Sequence, residues 1–128
     1  MAQPGLGAVT LFVTDVGASK DWYQRAFDVP VLFEDDDSCA LQFANTVINL
    51  LVRSAADELV TPMAVAGTGQ GATSQLTVWT DDVAAAAERL ADRGISLLNG
   101  PFDRPWGQRT VCIVDPDGNV WEFAQTIG

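Results

Sequence analysis

Residues 9–13 and 76–79 form two short β-type runs, aliphatic on one parity and threonine with an aromatic on the other. In the first run Val9, Leu11 and Val13 share one parity, and Thr10 and Phe12 share the other. In the second, Leu76 and Val78 oppose Thr77 and Trp79. A period of two marks a β-strand with two unlike faces. An aspartate follows each run, Asp15 or Asp82, and then a stretch with helical spacing. A carboxylate there satisfies orphan N–H groups of a helix's first turn and suits its dipole. The pattern predicts helices over 18–27 and 83–93. Trp22, Tyr23 and Phe27 fall on the buried side of the first, and Gly94 stops the alanine-rich second. Further strands are expected over 29–34, 38–43 and 46–52, then over 96–98, 109–114 and 120–125. The runs Asp35-Asp36-Asp37 and Asp115-Pro116-Asp117-Gly118 mark turns between them. Residues 54–73 are less periodic and read as a connection, with a short helical piece near 57–60.

The two halves repeat one pattern. Thr10 matches Thr77, Asp15 matches Asp82 and Val16 matches Val83, each 67 positions further on. Val9 and Leu76, Leu11 and Val78, and Phe12 and Trp79 agree in type. Self-similarity of this kind points to a duplicated supersecondary unit. The unit is β-α-β-β-β. The expected fold class is therefore α+β, with two tandem βαβββ modules and the helices on the outer face. The length suits a single domain: a first module over about 6–53, a connection over 54–73 and a second module over 74–126.

Composition narrows the chemistry. Seventeen acidic residues against seven basic ones give a net charge of −10. A surface so short of Lys and Arg does not neutralise phosphates, which argues against nucleic acid and anionic membranes as partners. It would instead attract cations, including cationic small molecules, though it also serves plain solubility. There is no histidine. The usual general base, nucleophile activator and commonest metal ligand are thereby missing. Cys39 and Cys112 lie in apolar runs without CxxC spacing, so two buried free thiols are expected, as in a reducing cytosol. Residues 1–7 lack a basic stretch leading into an apolar one, and no apolar run reaches the length of a membrane span. A cytoplasmic protein is expected.

Several segments together resemble the glyoxalase/bleomycin resistance protein/dioxygenase superfamily, also called the vicinal oxygen chelate group. They are Thr-Asp-Val…Trp-Tyr…Phe over 14–27, Trp-Thr-Asp-Asp-Val over 79–83, Leu-Ala-Asp-Arg-Gly-Ile over 90–95, Pro-Trp-Gly-Gln-Arg over 105–109 and Asp-Pro-Asp-Gly-Asn-Val-Trp-Glu-Phe over 115–123. The last block, following Pro-Trp-Gly, is the most specific. The resemblance implies paired modules whose mixed sheets curl around a cleft, in a homodimer. In the enzymes of the superfamily, four inward side chains from the first and fourth strands of each module hold a divalent metal. Carried onto this chain, those positions are Ala8, Asn49, Gln75 and Glu122. Alanine offers no ligand atom, and amide carbonyls bind zinc or iron weakly. The quartet is degenerate, so no metal and no cofactor are expected.

If those four side chains face a cleft, alternation puts Thr10, Phe12, Val47, Leu51, Thr77, Trp79, Val120 and Ala124 beside them. Val9, Leu11, Val13, Ile48, Leu50, Leu76, Val78, Trp121 and Phe123 then point toward the helices. Trp106, in its Pro-Trp-Gly turn, and Phe33 and Phe102 add aromatic surface nearby. The expected ligand-binding set is Phe12, Phe33, Asn49, Gln75, Trp79, Phe102, Trp106 and Glu122. Aromatic walls with a few polar groups suit planar organic molecules, cationic ones included. Plainer roles exist for some: Trp79 in a core or dimer contact, Trp106 bracing a hairpin, Asn49 and Gln75 as satisfied polar groups. The leading functional expectation is a metal-independent binder that sequesters an aromatic natural product or antibiotic. The alternatives are a metal-dependent glyoxalase- or dioxygenase-type enzyme, a metal-free enzyme with Glu122 as general base, and a regulatory binder.

Overall fold

The computed structural model describes residues 3–128. Met1 and Ala2, part of the segment read above for a leader, lie outside the described residues. The chain forms two compact units, Met1–Gly67 and Thr68–Gly128. The first unit contains β1 (Ala8–Val13), α1 (Val16–Phe27), β2 (Val31–Glu34), β3 (Ser38–Gln42), β4 (Val47–Val52) and α2 (Arg53–Val60). The second contains β5 (Gln75–Trp79), α3 (Val83–Asp92), β6 (Asn99–Arg104), β7 (Gln108–Val114) and β8 (Val120–Thr126). The class is α+β, and the order βαβββ appears twice. Each unit holds one open four-stranded mixed sheet, ordered β1-β4-β3-β2 or β5-β8-β7-β6. In both, the first and last strands pair in parallel and the remaining pairs are antiparallel.

The helices start where the aspartates predict. Asp15 and Asp82 are the N-caps, and each carboxylate accepts a backbone N–H three residues on, from Ala18 and Ala85, at 3.0 Å. Such caps contribute about 1 kcal/mol each. Each helix presents one apolar stripe to its sheet. Trp22, Tyr23 and Ala26 of α1 are buried with Leu11, Val13, Ile48 and Leu50. Trp22 meets Tyr23 edge-on with ring centroids 4.8 Å apart, and Phe27 meets Phe43 at 5.2 Å. In the second unit Val83, Ala86 and Leu90 of α3 are buried with Val111, Ile113, Trp121 and Phe123. Burying a side chain of this size contributes about 1.5–3 kcal/mol. Val9, Leu76 and Val78, on the same parity, are half-buried. No helix among the described residues is long and apolar enough to cross a membrane.

Two elements differ from expectation. The helical piece expected over 57–60 is a two-turn helix that starts at Arg53, directly after β4. Its N-cap, Val52, makes no side-chain cap bond, so the usual start signal is missing; buried Ala56 anchors it instead. The strand expected over 96–98 is not there, and β6 runs over Asn99–Arg104. Gly100 and Pro101 mask it, because both are poor strand formers. They are tolerated because β6 is an edge strand, where Pro101 needs no second ladder partner.

Gly100 has φ +92°. A Cβ there would press on the Thr110 carbonyl oxygen and Val111 Cα of the neighbouring strand. Both the left-handed backbone and the close approach require glycine. Gly100→Ala is expected to lose at least ~2 kcal/mol from strain and overpacking, measured by urea denaturation; a loss below ~0.5 kcal/mol would contradict this local geometry.

Candidate functional site

Strand register sorts the side chains of the second sheet. One cross-strand row is Thr77, Glu122, Cys112 and Asn99, and the next is Trp79, Ala124, Thr110 and Phe102. Gln75, Arg104 and Gln108 share this parity. Between Asn99 and Phe102 the register of β6 against β7 shifts, with three steps on β6 matched to two on β7. That extra residue is a β-bulge. Without it, Phe102 and Arg104 would turn to the α3 side, because a one-residue slip reverses every side chain.

The face is polar at its centre and aromatic at its β6 end. The Thr77 hydroxyl donates to Glu122 Oε1 at 2.9 Å, and Gln75 Nε2 lies 3.6 Å from the Cys112 sulfur as a donor. Arg104 Nε donates to the Thr110 hydroxyl at 3.0 Å. The Arg104 guanidinium carbon sits 4.9 Å from the Phe102 ring centroid and 5.9 Å from that of Trp106, within cation–π range. The Trp106 indole N–H donates to Gln108 Oε1 at 3.1 Å, which orients the ring in its turn. Phe102 is 47% exposed and Trp106 66%; aromatic surface so open calls for explanation as a recognition surface. Asn99 Oδ1 is buried and accepts no hydrogen bond. Burial pushes the Cys112 thiol up, and the Glu122 charge adds to this; Gln75 and Arg104 oppose it more weakly.

The first sheet has a corresponding face, with Thr10, Asn49, Ala40 and Phe33 in one row and Phe12, Leu51 and Ser38 in the next. Here too a register shift, between Val31 and Phe33 on β2, sets the phase. Phe33 is exposed, while Phe12 and Asn49 are half-buried. Cys39 lies on the helix side; burial raises its thiol, followed by the charge of Glu34.

Within the second unit the predicted residues fall at different places on the sheet. Phe102 and Trp106 both lie against Arg104. Gln75 and Glu122 occupy the sheet centre with Thr77 and Cys112. Trp79 stands on β5, at the other edge of its sheet and three strand spacings from β6, about 14 Å away. It borders a separate groove of about 400 Å³ with Asp81, Asp82, Ala85, Ala86 and Arg89. Leu51, Val120 and Ala124, placed by alternation on the polar face, are buried. An apolar pocket of about 310 Å³ lies near Val120, under Gly69, Gly71, Ala72 and Leu98. Sequence reasoning placed Thr77 on this face but did not reach Arg104, Thr110, Cys112 or Asn99. Alternation could have found Thr110 and Cys112 from Glu122, but the bulge hides the phase of Arg104.

The implied metal quartet supplies one carboxylate at Glu122, two amides at Asn49 and Gln75, and a methyl group at Ala8. Glu122 is engaged by Thr77, and the Gln75 amide is turned to a thiol. This donor set does not fit a divalent transition metal. Among the described residues, no three His, Cys, Asp or Glu side chains gather to hold one.

Comparison with known proteins bears on the whole chain. The model described as "Glyoxalase/Bleomycin resistance protein/Dioxygenase superfamily" matches residues 5–123. An uncharacterised protein of Mycobacterium bovis is 28% identical over 126 residues, spanning 91% of this chain and 80% of that one. The crystal structure of a glyoxalase/bleomycin resistance protein/dioxygenase from Nocardioides superposes with a TM-score of 0.87 at 22% identity, covering 99% of this chain and 86% of its own. A glyoxalase-related enzyme from Fulvimarina pelagi superposes with a TM-score of 0.80 at 26% identity, covering 94% of this chain and 87% of its own.

Both cysteines are free and buried. With their pKa values raised, the folded state holds the thiol form and the unfolded state releases the proton more easily. Stability is therefore full below the ordinary thiol value and declines as pH rises above it. In a thiol-titration assay at pH 8, both groups are expected to react at least tenfold slower in the native protein than in guanidinium chloride. Equal rates would contradict this placement.

Proposed function

The chain belongs to the Glyoxalase/Bleomycin resistance protein/Dioxygenase superfamily, and from that premise we propose that it is a metal-independent binding protein that sequesters a planar aromatic small molecule, such as a natural-product antibiotic. The observation that carries this reading is the cluster of Phe102, Arg104 and Trp106 at the end of a polar sheet face. Stacking surface lies next to directional groups, as small-molecule recognition needs. The degenerate metal quartet supports binding without metal chemistry. The reading includes a homodimer: Leu32 and Phe33, neighbours on edge strand β2, are both largely exposed, and a lone chain would leave that apolar edge to water. It also places the protein in the cytoplasm, where two unpaired thiols persist.

A second reading is favoured by one observation. Glu122 is the sole carboxylate on the second sheet's polar face among the described residues, and only its Oε1 is engaged by Thr77. Such a group could serve as general base toward a bound carbonyl compound. Loss of turnover with binding retained in Glu122→Gln would support this second reading.

The direct test is to titrate the purified protein with a panel of aromatic antibiotics while following tryptophan fluorescence and melting temperature. At least one compound is expected to quench fluorescence and raise the melting temperature. Trp106→Ala and Phe102→Ala are each expected to weaken that binding about tenfold, or ~1.4 kcal/mol. Absence of quenching and of thermal shift across the panel would overturn the proposal.

A further inference from the structure

Arg104 occupies an unusual electrostatic position. The chain carries ten more acidic than basic residues, yet no carboxylate among the described residues pairs with Arg104. Its one side-chain hydrogen bond runs from Nε to the Thr110 hydroxyl. Its flat guanidinium lies against Phe102 and near Trp106. The neighbouring Asp103 is not available. It sits one residue along the strand, on the opposite face, and both its oxygens accept from Arg109, at 2.6 and 3.2 Å. The side chain of Arg104 is thus half-buried, positioned by a hydroxyl and two rings, with its terminal amino groups left without a protein acceptor among the described residues. A guanidinium held between a hydroxyl and two aromatic rings offers a preorganised fork for a planar anion.

We infer that Arg104 is the counter-charge for an anionic oxygen on the ligand, so the molecule bound at this face is a planar aromatic acid or its equivalent: a carboxylate, phenolate or enolate conjugated to a ring. The inference rests on the aromatic-binder reading above and specifies its ligand class. It reverses the preference for cations that net charge alone suggests. The rings of Phe102 and Trp106 already hold a cation, so a ligand ammonium would have to compete with Arg104 for them. Glu122, on the same face two strands away from β6, disfavours a second negative group there. The ligand is therefore oriented with its anionic end at Arg104 and a neutral or hydrogen-bond-donating end toward Glu122.

The test uses three matched probes on the full chain by isothermal titration: anthraquinone-2-carboxylate, anthraquinone-2-carboxamide and the corresponding 2-(aminomethyl) cation. The wild-type protein is expected to bind the carboxylate about tenfold more tightly than the amide, and the amide at least as tightly as the cation. In Arg104→Gln the carboxylate should lose its tenfold advantage over the amide, and Arg104→Lys should restore part of that advantage. Equal binding of all three probes, or tightest binding of the cation, would overturn the anionic-ligand inference and leave the aromatic-binder reading standing. Binding of none of them would overturn both. The wild-type comparison needs no variant, so it decides the matter even if a substitution at Arg104 impairs folding.

Discussion

Parallel pairing of the first and last strand within each module sets the phase of every other side chain. Thr10 lies opposite Asn49 in one sheet and Thr77 lies opposite Glu122 in the other. The crossing helix makes that pairing possible, because parallel neighbours need a long connection. The aspartate caps start the helix at the same point in both copies. Once this register holds, Leu11, Val13, Ile48 and Leu50, or Trp121 and Phe123, turn toward the helices as a set. The polar residues turn the other way as a set. A slip of one residue would bury Glu122 and expose Trp121.

The features of the candidate site arise where that regularity is broken. The register shift in β6 brings Phe102 and Arg104 onto the face of Glu122, and Gly100 is the residue whose backbone permits it. The shift in β2 does the same for Phe33. Bulges on edge strands cost a ladder bond but re-aim side chains. The consequence here is an aromatic and guanidinium cluster beside a polar sheet centre. Asp103 and Arg109 satisfy each other on the opposite face, which leaves Arg104 with hydroxyl and ring partners only.

Much of this was legible in the chain. Period-two alternation in β1, β5 and the ends of each module identified the sheets and their apolar faces, and the 67-residue repeat identified the duplication. Trp22 is core on the buried side of α1, and Trp121 is core as its strand parity requires. What stayed hidden has local causes. Gly100 and Pro101 suppressed the strand signal of β6, so its start was misplaced and the phase of Arg104 was lost. Val52 gave no capping cue for α2. Trp79 was placed by alternation and Phe102 as a nearby aromatic, and neither reading sees the width of the sheet between them. Thr110 and Ala124 are buried, which alternation alone does not encode.

The central claim is that the Phe102–Arg104–Trp106 cluster holds an aromatic molecule without a metal. Nitrogen-15 indole resonances of the four tryptophans, recorded on exhaustively chelated protein during titration with anthraquinone-2-carboxylate, test it most directly. The Trp106 indole is expected to shift progressively and saturably, while Trp22 and Trp121, buried in the two cores, stay fixed. An unmoved Trp106 signal, or movement only after a divalent metal is restored, would contradict the claim.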